Sequence, residues 1–329
     1  MTLRFEGIYP VLPTPLMEDE SLDLSGFRHL VDFFVRAGMH GLVVLGSGGE
    51  YTYLTLEEKV SVARAAAEAC GGRIPLIAGV GFPSLRETLA FLEACRGLRI
   101  DGFMVALPTY YAVPFAEVLG FFQEICKASP QPVLYYHFPQ VTGLFFTASQ
   151  LGRIFALDRV VGIKESSVCL REIRAHIRKA QGKPFSVLAG TCFLLHRLIE
   201  LGGHGAICPL PTVAPRLILD CYEAAKRGES GNANRLQQRI LDLLPLMNSF
   251  ELPVPVQKVS LALLARMPRP ARFAGVQSRH AVFKETLRQL GHPISARVRT
   301  PLPQITERQK QAIRSLIERN ADLRSGRAS

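Results

Sequence analysis

The sequence lacks several features that would place a chain of this size in other classes of protein. No apolar run approaches the roughly 20 residues that a helix needs to cross a bilayer, so we predict no membrane partner. The first residues do not show the basic-then-apolar order of a signal peptide. There is no internal repeat and no low-complexity tract. These absences favour a globular cytoplasmic protein.

Paired cysteines are also missing. The seven cysteines are an odd number, and none belongs to a Cys-x-x-Cys motif, which is typical of zinc and redox sites. They occupy positions 70, 95, 126, 169, 192, 208 and 221, within helix-like and strand-like stretches. We therefore expect buried free thiols in a reducing cytoplasm, with no disulfide and no metal.

Acidic residues are fewer than basic ones, which gives a net charge of +11 at pH 7. Such a charge suits either nucleic-acid binding or a basic surface that attracts small anionic substrates. Much of the excess lies in the C-terminal third, where arginines are mixed with apolar helical positions and no nucleic-acid-binding motif is present. We favour a small anionic substrate and predict no nucleic-acid partner.

Short apolar runs alternate regularly with amphipathic stretches along most of the chain, which has 329 residues and is 48% hydrophobic. Eight strand–helix pairs in succession predict a closed parallel (β/α)8 barrel. An open doubly wound sheet is the alternative, weakened because no Gly-x-Gly-x-x-Gly turn follows the first run. The predicted strands are 7–13, 41–45, 74–78, 102–106, 133–137, 160–164, 185–189 and 205–208. The predicted helices are 25–37, 56–70, 85–96, 115–127, 148–155, 170–180, 192–201 and 215–226.

Beyond residue 228 the alternation stops, and only helical patterns follow. We interpret residues 1–228 as the catalytic barrel and residues 229–329 as a C-terminal helical region. The last helix should begin at a capping box formed by Thr306 and Gln309. The predicted C-terminal helices are 232–247, 256–267, 281–290 and 306–320.

Lys164 ends the sixth apolar run, a position where a charged ammonium is costly. Desolvation lowers the pKa of such a lysine and exposes an amine nucleophile, which an enzyme that forms a Schiff base requires. Tyr136 lies near the end of the preceding run and is placed to pass protons to that amine. The alternative is a structural Lys164 paired with a core carboxylate such as Glu165 or Glu50. Spacing alone does not decide between the two.

Active sites of (β/α)8 barrels lie at the C-terminal ends of the strands, which selects a few more segments. After the second strand, residues 46–50 (Gly-Ser-Gly-Gly-Glu) present consecutive amides that suit a carboxylate, and Ser47 adds a hydroxyl. A tight turn without a ligand explains the same glycines. Strand alternation allows only one of Tyr135 and Tyr136 to face the barrel interior, and His137 is interpreted as structural.

In this order the motifs resemble the dihydrodipicolinate synthase/N-acetylneuraminate lyase family of class I aldolases and dehydratases. The resemblance covers nearly the whole chain. It rests on residues 46–50 with 54–55, 108–114, 136–143, 162–167 and 201–207. It implies a homotetramer built as a dimer of dimers, and chemistry that needs no metal or organic cofactor.

The resemblance also implies a role for each matching residue. Lys164 matches the lysine that forms the imine with a pyruvate-type keto acid. Tyr136 matches the tyrosine that transfers protons, and Ser47 matches a hydroxyl that joins this relay and helps to hold the carboxylate. Tyr111 matches a tyrosine that often reaches the active site of a neighbouring subunit. Ile207 matches a residue that lines the pyruvate pocket.

Three positions depart from the family pattern. Gly48 stands where many members carry a threonine, so carboxylate binding should depend on backbone amides. Val141 stands where the synthases place an arginine that binds the second substrate. Cys192, two residues after the pocket residue Gly190, replaces a commonly acidic position. Residues 268–280 resemble an insertion.

Together these features predict a Schiff-base lyase that cleaves or dehydrates a 2-keto-3-deoxy sugar acid or a related hydroxy-keto acid. One alternative is a 4-hydroxy-tetrahydrodipicolinate synthase that condenses pyruvate with aspartate semialdehyde. Another is a non-catalytic barrel that binds a keto acid as a sensor or scaffold. Cleavage, condensation and dehydration share one enamine, so the sequence does not choose among them.

Overall fold

The computed structural model describes residues 4–81, 84–107, 111, 113–248, 250–270 and 278–326, with side chains as far as residue 323. Three residues of the predicted 108–114 motif that precede Tyr111 lie outside this set, as does Ala112. Most of the presumed insertion, residues 271–277, also lies outside it.

Eight parallel strands form one sheet in the order β1-β8-β7-β6-β5-β4-β3-β2. A parallel bridge between Val11 and Val43 joins the two ends of this order, so the sheet closes on itself. The predicted (β/α)8 barrel is confirmed. The strands are β1 Gly7–Pro10, β2 Leu42–Val44, β3 Leu76–Val80, β4 Gly102–Ala106, β5 Val133–His137, β6 Val160–Glu165, β7 Ser186–Ala189 and β8 Gly205–Cys208.

Helices follow the strands and continue after the barrel. The barrel region contains α1 Leu24–Arg36, α2 Leu56–Cys70, α3 Leu85–Ala94, α4 Phe115–Ala128, α5 Pro139–Thr142, α6 Ala148–Ile154, α7 Leu170–Ala180, α8 Leu195–Glu200 and α9 Pro215–Lys226. The C-terminal helices are α10 Ser230–Leu241, α11 Leu244–Met247, α12 Val254–Arg266, α13 His280–Gln289 and α14 Glu307–Arg319. None of the helices in the described residues is both long enough and apolar enough to cross a membrane.

The capping box predicted for α14 is confirmed. The Thr306 hydroxyl accepts a hydrogen bond from the Gln309 amide at 3.2 Å, and the Gln309 side chain accepts one from the Thr306 amide at 3.0 Å. Each residue thereby satisfies an amide that the first turn of a helix leaves without a partner.

The predicted helix 232–247 is wrong as a continuous element. Helix α10 ends at Leu241, and a separate turn, α11, begins at Leu244. Pro245 explains the break, because proline lacks an amide hydrogen and its ring clashes with the carbonyl of the preceding turn. The predicted helix 192–201 also differs, since it begins as a 3-10 turn at Cys192–Leu194 before α8.

Two apolar clusters divide the core by strand alternation. Odd and even positions of a strand face opposite sides, so neighbouring residues join different clusters. Tyr136 belongs to the cluster inside the barrel, together with Leu188 and Ile207. Tyr135 belongs to the cluster between strands and helices, where its ring packs edge-on against Phe122 with centroids 5.2 Å apart. The tyrosine inside the barrel is therefore Tyr136.

A buried ion pair joins the C-terminal helices to the barrel mouth. The Lys284 ammonium of α13 lies 2.5 Å from a carboxylate oxygen of Glu50 and donates to the Arg297 carbonyl at 2.7 Å. The other oxygen of Glu50 accepts the Arg299 amide at 2.8 Å. Both charged side chains are almost completely buried. This network holds the start of α13 beside the turn that follows β2.

Candidate active site

A cavity of about 510 Å³ opens at the C-terminal ends of the strands, a size within the range of small-molecule sites, roughly 300–1,000 Å³. Its floor is formed by residues at the ends of the strands, and its upper walls come from α11, α12 and α13. The floor residues are Val11, Ser47, Gly48, Tyr136, Lys164, Ser166, Gly190 and Pro209.

Lys164 is the fifth residue of β6, and its side chain is turned towards the cavity floor. Only 3% of the residue is exposed to solvent. Burial lowers the pKa of Lys164 to about 7, although the neighbouring Cys208 acts in the opposite direction. At this pKa a large fraction of the amine is neutral, and therefore nucleophilic, near neutral pH.

The two carboxylates considered as partners for Lys164 are engaged elsewhere. Glu165, next along β6, points away from the barrel interior to His137 at 2.9 Å and His176 at 2.8 Å. Burial alone would raise the pKa of Glu165, but the two histidines hold it well below its usual range. Glu50 is paired with Lys284. Neither carboxylate is therefore paired with Lys164, and His137 is a partner of Glu165 outside the barrel interior.

Tyr136 lies beside Lys164 because the two residues are in register on β5 and β6. The Lys164 nitrogen is 3.8 Å from the centre of the Tyr136 ring. Burial raises the pKa of Tyr136 to about 12, despite hydrogen bonds with Ser47 and Ser166 that lower it. The phenol thus stays protonated at neutral pH and can act as a proton donor. Its hydroxyl is 3.2 Å from the Ser47 hydroxyl, which links the two groups in a relay.

The turn after β2 offers hydrogen-bond donors to the cavity. Residues Ser47–Gly49 form a 3-10 turn in which the Gly49 amide donates to Gly46 and the Glu50 amide donates to Ser47. In the described part of the chain, the amides of Ser47 and Gly48 donate to no protein acceptor. The carboxylate nest predicted from the sequence consists of these two amides and the Ser47 hydroxyl, and it stays a prediction. Ser47 and Gly48 both line the cavity, Gly48 without a side chain.

His280, the first residue of α13, is a site residue that the sequence did not reveal. Its Nε2 atom is 2.6 Å from the Ser47 carbonyl oxygen, and its Nδ1 atom is 2.6 Å from the Ser278 hydroxyl. A carbonyl oxygen can only accept, so Nε2 carries the hydrogen. Burial lowers the pKa of His280, which keeps the ring neutral. The contact fixes the peptide plane that contains the Gly48 amide.

Gly190 lines the cavity directly above β7, and its lack of a side chain is a packing requirement. A Cβ atom at this position would lie 1.7 Å from the Ser166 hydroxyl oxygen, far inside van der Waals contact. Ser166 lies near Tyr136 and acts to lower the pKa of its phenol. The glycine therefore preserves the environment of the tyrosine.

The other residues singled out from the sequence do not line the cavity. Ile207 is fully buried inside the barrel, whereas Val141 on α5 is 46% exposed. Gln140, next to Val141, lines the cavity instead. Tyr111 is 76% exposed on the single chain. Cys192 is buried, and burial together with the neighbouring Cys208 raises the pKa of its thiol.

Fold and site together define a class: a (β/α)8-barrel protein with a desolvated amine beside two hydroxyl groups in a cavity at the barrel mouth. The model of the dihydrodipicolinate synthetase family matches residues 4–272. The chain belongs to this family of lyases.

Individual relatives agree with this assignment. A 4-hydroxy-tetrahydrodipicolinate synthase of Methanospirillum hungatei is 31% identical over 258 residues, covering 78% of this chain and 88% of that protein. The putative 2-dehydro-3-deoxy-D-gluconate aldolase YagE of Escherichia coli K12 is 28% identical over 317 residues, covering 95% and 96%. The crystal structure of YagE in complex with pyruvate matches with a TM-score of 0.83 over 96% of this chain and 98% of that one. These similarities support the lyase class without selecting one substrate.

Proposed function

We propose that this protein is a lyase that forms a Schiff base between Lys164 and a pyruvate-type 2-keto acid. The observation that supports this proposal best is a buried lysine, with a pKa of about 7, on the cavity floor beside a protonated tyrosine. Both carboxylates that could have neutralised the lysine are held by other residues.

In the proposed mechanism the substrate carboxylate binds the amides of Ser47 and Gly48. The neutral amine of Lys164 attacks the keto carbon and forms a carbinolamine. Tyr136 donates a proton to the carbinolamine hydroxyl, which leaves as water. The Ser47 hydroxyl connects the Tyr136 phenol with the bound substrate. The product of this step is a protonated imine.

The protonated imine withdraws electrons from the neighbouring carbon atoms. Breaking the bond between C3 and C4 of a 4-hydroxy-2-keto acid leaves its electron pair in an enamine, while the C4 hydroxyl gives up a proton to Tyr136. Loss of a hydroxyl group from the same intermediates gives dehydration. The YagE similarity supports a 2-keto-3-deoxy sugar acid or a related hydroxy-keto acid as substrate.

The second candidate is the 4-hydroxy-tetrahydrodipicolinate synthase reaction, supported by the relative from Methanospirillum hungatei. The exposed Val141 disfavours it, because an aliphatic side chain offers no bidentate contact to the carboxylate of aspartate semialdehyde. Turnover of pyruvate and aspartate semialdehyde at the rate of a dedicated synthase would favour this candidate over the first.

Reductive trapping tests the imine directly. Incubation with pyruvate and sodium borohydride should attach a reduced pyruvyl group to Lys164, as located by mass spectrometry of the peptides. Lys284 is an internal control, because it is also buried but is paired with Glu50 and lies outside the cavity lining. Lys164→Ala should abolish both the adduct and the turnover of hydroxy-keto acids.

A protein that binds keto acids without catalysis would behave differently. Pyruvate would raise its thermal stability, but no adduct would form on Lys164 with pyruvate or with longer keto acids. That combination would replace the lyase proposal with the sensor or scaffold function.

A further inference from the structure

We propose that the upper part of the cavity binds an apolar substituent on C4 of the substrate, so that the aldehyde released is apolar rather than a sugar. This inference rests on the proposed function and specifies its substrate class. It follows from the side chains that α11, α12 and α13 place above the lysine.

The cavity continues from the lysine into a space that we call the upper chamber. Its walls are apolar side chains of α11, α12, α13 and the residues that connect α11 with α12. The chamber is lined by Leu244, Met247, Leu252, Leu261, Leu264 and Phe283. Such a surface stabilises an apolar group by removing it from water, whereas hydroxyl groups gain nothing from it.

Two amide side chains that border the cavity donate to the backbone. The Gln140 amide nitrogen donates to the Ser167 carbonyl at 2.7 Å, and the Gln257 amide nitrogen donates to the Leu252 carbonyl at 2.7 Å. Asn248 and Ser260 border the cavity at its solvent-exposed side, as does Leu252 among the apolar residues. Among the described residues, the buried amide oxygen of Gln140 has no hydrogen-bond partner, so it offers one acceptor to a hydroxyl group. The other hydroxyl groups of a polyhydroxylated chain would face the apolar walls of the upper chamber and lose hydrogen bonds with water there.

Besides Lys164, the described lining of the cavity includes the charged residue Arg279, next to His280. A guanidinium at this position could select a second carboxylate on the substrate instead of an apolar group. Substrates with a distal carboxylate therefore belong in the test as a separate arm.

Helix α12 supplies a matched pair of positions for mutation. Leu264 lines the cavity and is partly buried, whereas Leu263, the preceding residue, is 63% exposed and does not line the cavity. The same substitution at these neighbours separates an effect on the chamber from an effect on the helix.

The reaction in this proposal is the retro-aldol cleavage of R–CH(OH)–CH2–CO–COO⁻. The C3–C4 bond breaks, its electron pair passes into the Lys164 imine to give the enamine, and R–CHO leaves. Protonation at C3 and hydrolysis of the imine then release pyruvate. No oxidant or reductant is required.

The test measures pyruvate release from racemic 4-hydroxy-2-oxo acids. These substrates have the same carbon atoms C1 to C4 and differ only in the substituent R on C4. The substituents are methyl, pentyl, phenyl, a polyol chain as in 2-keto-3-deoxygluconate, and a chain ending in a carboxylate. We expect kcat/KM for the pentyl or phenyl substrate to exceed that for the polyol by about 10-fold or more. The ratio of pentyl to phenyl distinguishes aliphatic from aromatic aldehydes.

In the same assay, Leu264→Gln should lower kcat/KM for the preferred apolar substrate by about 10-fold, mainly through KM. Leu263→Gln should leave it unchanged. Both variants should still form the pyruvate adduct on Lys164, because neither touches the cavity floor.

The outcomes separate this inference from the proposed function. Preference for the polyol or for the distal carboxylate, with the adduct intact, would overturn the apolar chamber and leave the imine lyase standing. Equal effects of Leu264→Gln and Leu263→Gln would also overturn the chamber. Absence of the adduct in the unaltered protein would overturn both proposals.

Discussion

At the scale of single residues, the chemistry depends on burial, which shifts the pKa values of two neighbouring side chains in opposite directions. Burial lowers the pKa of Lys164 to about 7 and raises that of Tyr136 to about 12. The base form of the lysine and the acid form of the tyrosine then coexist near neutral pH. This combination is what imine formation requires, because one group attacks and the other donates a proton.

The rate of imine formation should therefore depend on pH in a specific way. Below about pH 7 Lys164 is protonated and unreactive, so the rate should rise through this region and level off above it. Tyr136 should cause no further change up to about pH 9, since its pKa is about 12. The measurement is the rate of adduct formation with pyruvate and sodium cyanoborohydride. A rate that still increases steeply at pH 9 would indicate an ordinary lysine pKa.

His280 should act as a positioning residue for the carboxylate nest. His280→Ala removes the hydrogen bond to the Ser47 carbonyl and frees the peptide plane of the Gly48 amide. The pyruvate concentration for half-maximal trapping should rise about 3- to 10-fold, equivalent to one lost hydrogen bond of about 1 kcal/mol. The maximal trapping rate should change much less.

His280→Gln is the matched variant, because its amide can still donate to the Ser47 carbonyl. It should recover most of the affinity for pyruvate that His280→Ala loses. If both variants bind pyruvate as the unaltered protein does, His280 has only a packing role.

At the scale of elements, sequence periodicity was sufficient for most of the fold. Each predicted strand overlaps an observed strand, because a short buried run bounded by glycine or proline has few other structures available. The helix break at Pro245 was in principle visible, since proline rarely continues a helix. The role of α12 was not visible. Apolar residues occur on both of its faces, and only the fold shows that Leu261 and Leu264 line a cavity.

The same limit applies to the candidate site. Lys164 and Tyr136 could be paired in advance because they lie near the ends of consecutive strands, and parallel register brings such residues together. His280 reaches Ser47 across 233 positions of sequence, so the contact depends on the path of the whole C-terminal region. Ile207 and Val141 were selected by resemblance alone, and the cavity is lined by Gln140 and Pro209 near them.

At the scale of the whole molecule, the Glu50–Lys284 pair links the C-terminal helices to the barrel. Glu50→Gln would leave a buried ammonium without its counter-charge, while the new side chain can still accept the Arg299 amide. We expect a loss of about 3–5 kcal/mol in the free energy of unfolding, measured by chemical denaturation.

Two further variants complete this prediction. Lys284→Met in the Glu50→Gln background removes the stranded charge and should restore much of the stability. Glu251→Gln breaks the exposed pair with Arg308 and should cost less than about 1 kcal/mol. If Glu50→Gln is no more damaging than Glu251→Gln, the buried pair does not hold the two parts together.

Val11 gives the molecule an evolutionary constraint. Its backbone bridges to Val43 where the barrel closes, and its side-chain Cγ1 atom lies 3.3 Å from where a Cβ atom on residue 48 would sit. A threonine at position 48 would therefore press on the seam of the barrel. The Val11 side chain must give way by a few tenths of an ångström before this hydroxyl is accommodated, so the effect of a threonine at position 48 depends on the residue at position 11 as well as on its chemical benefit.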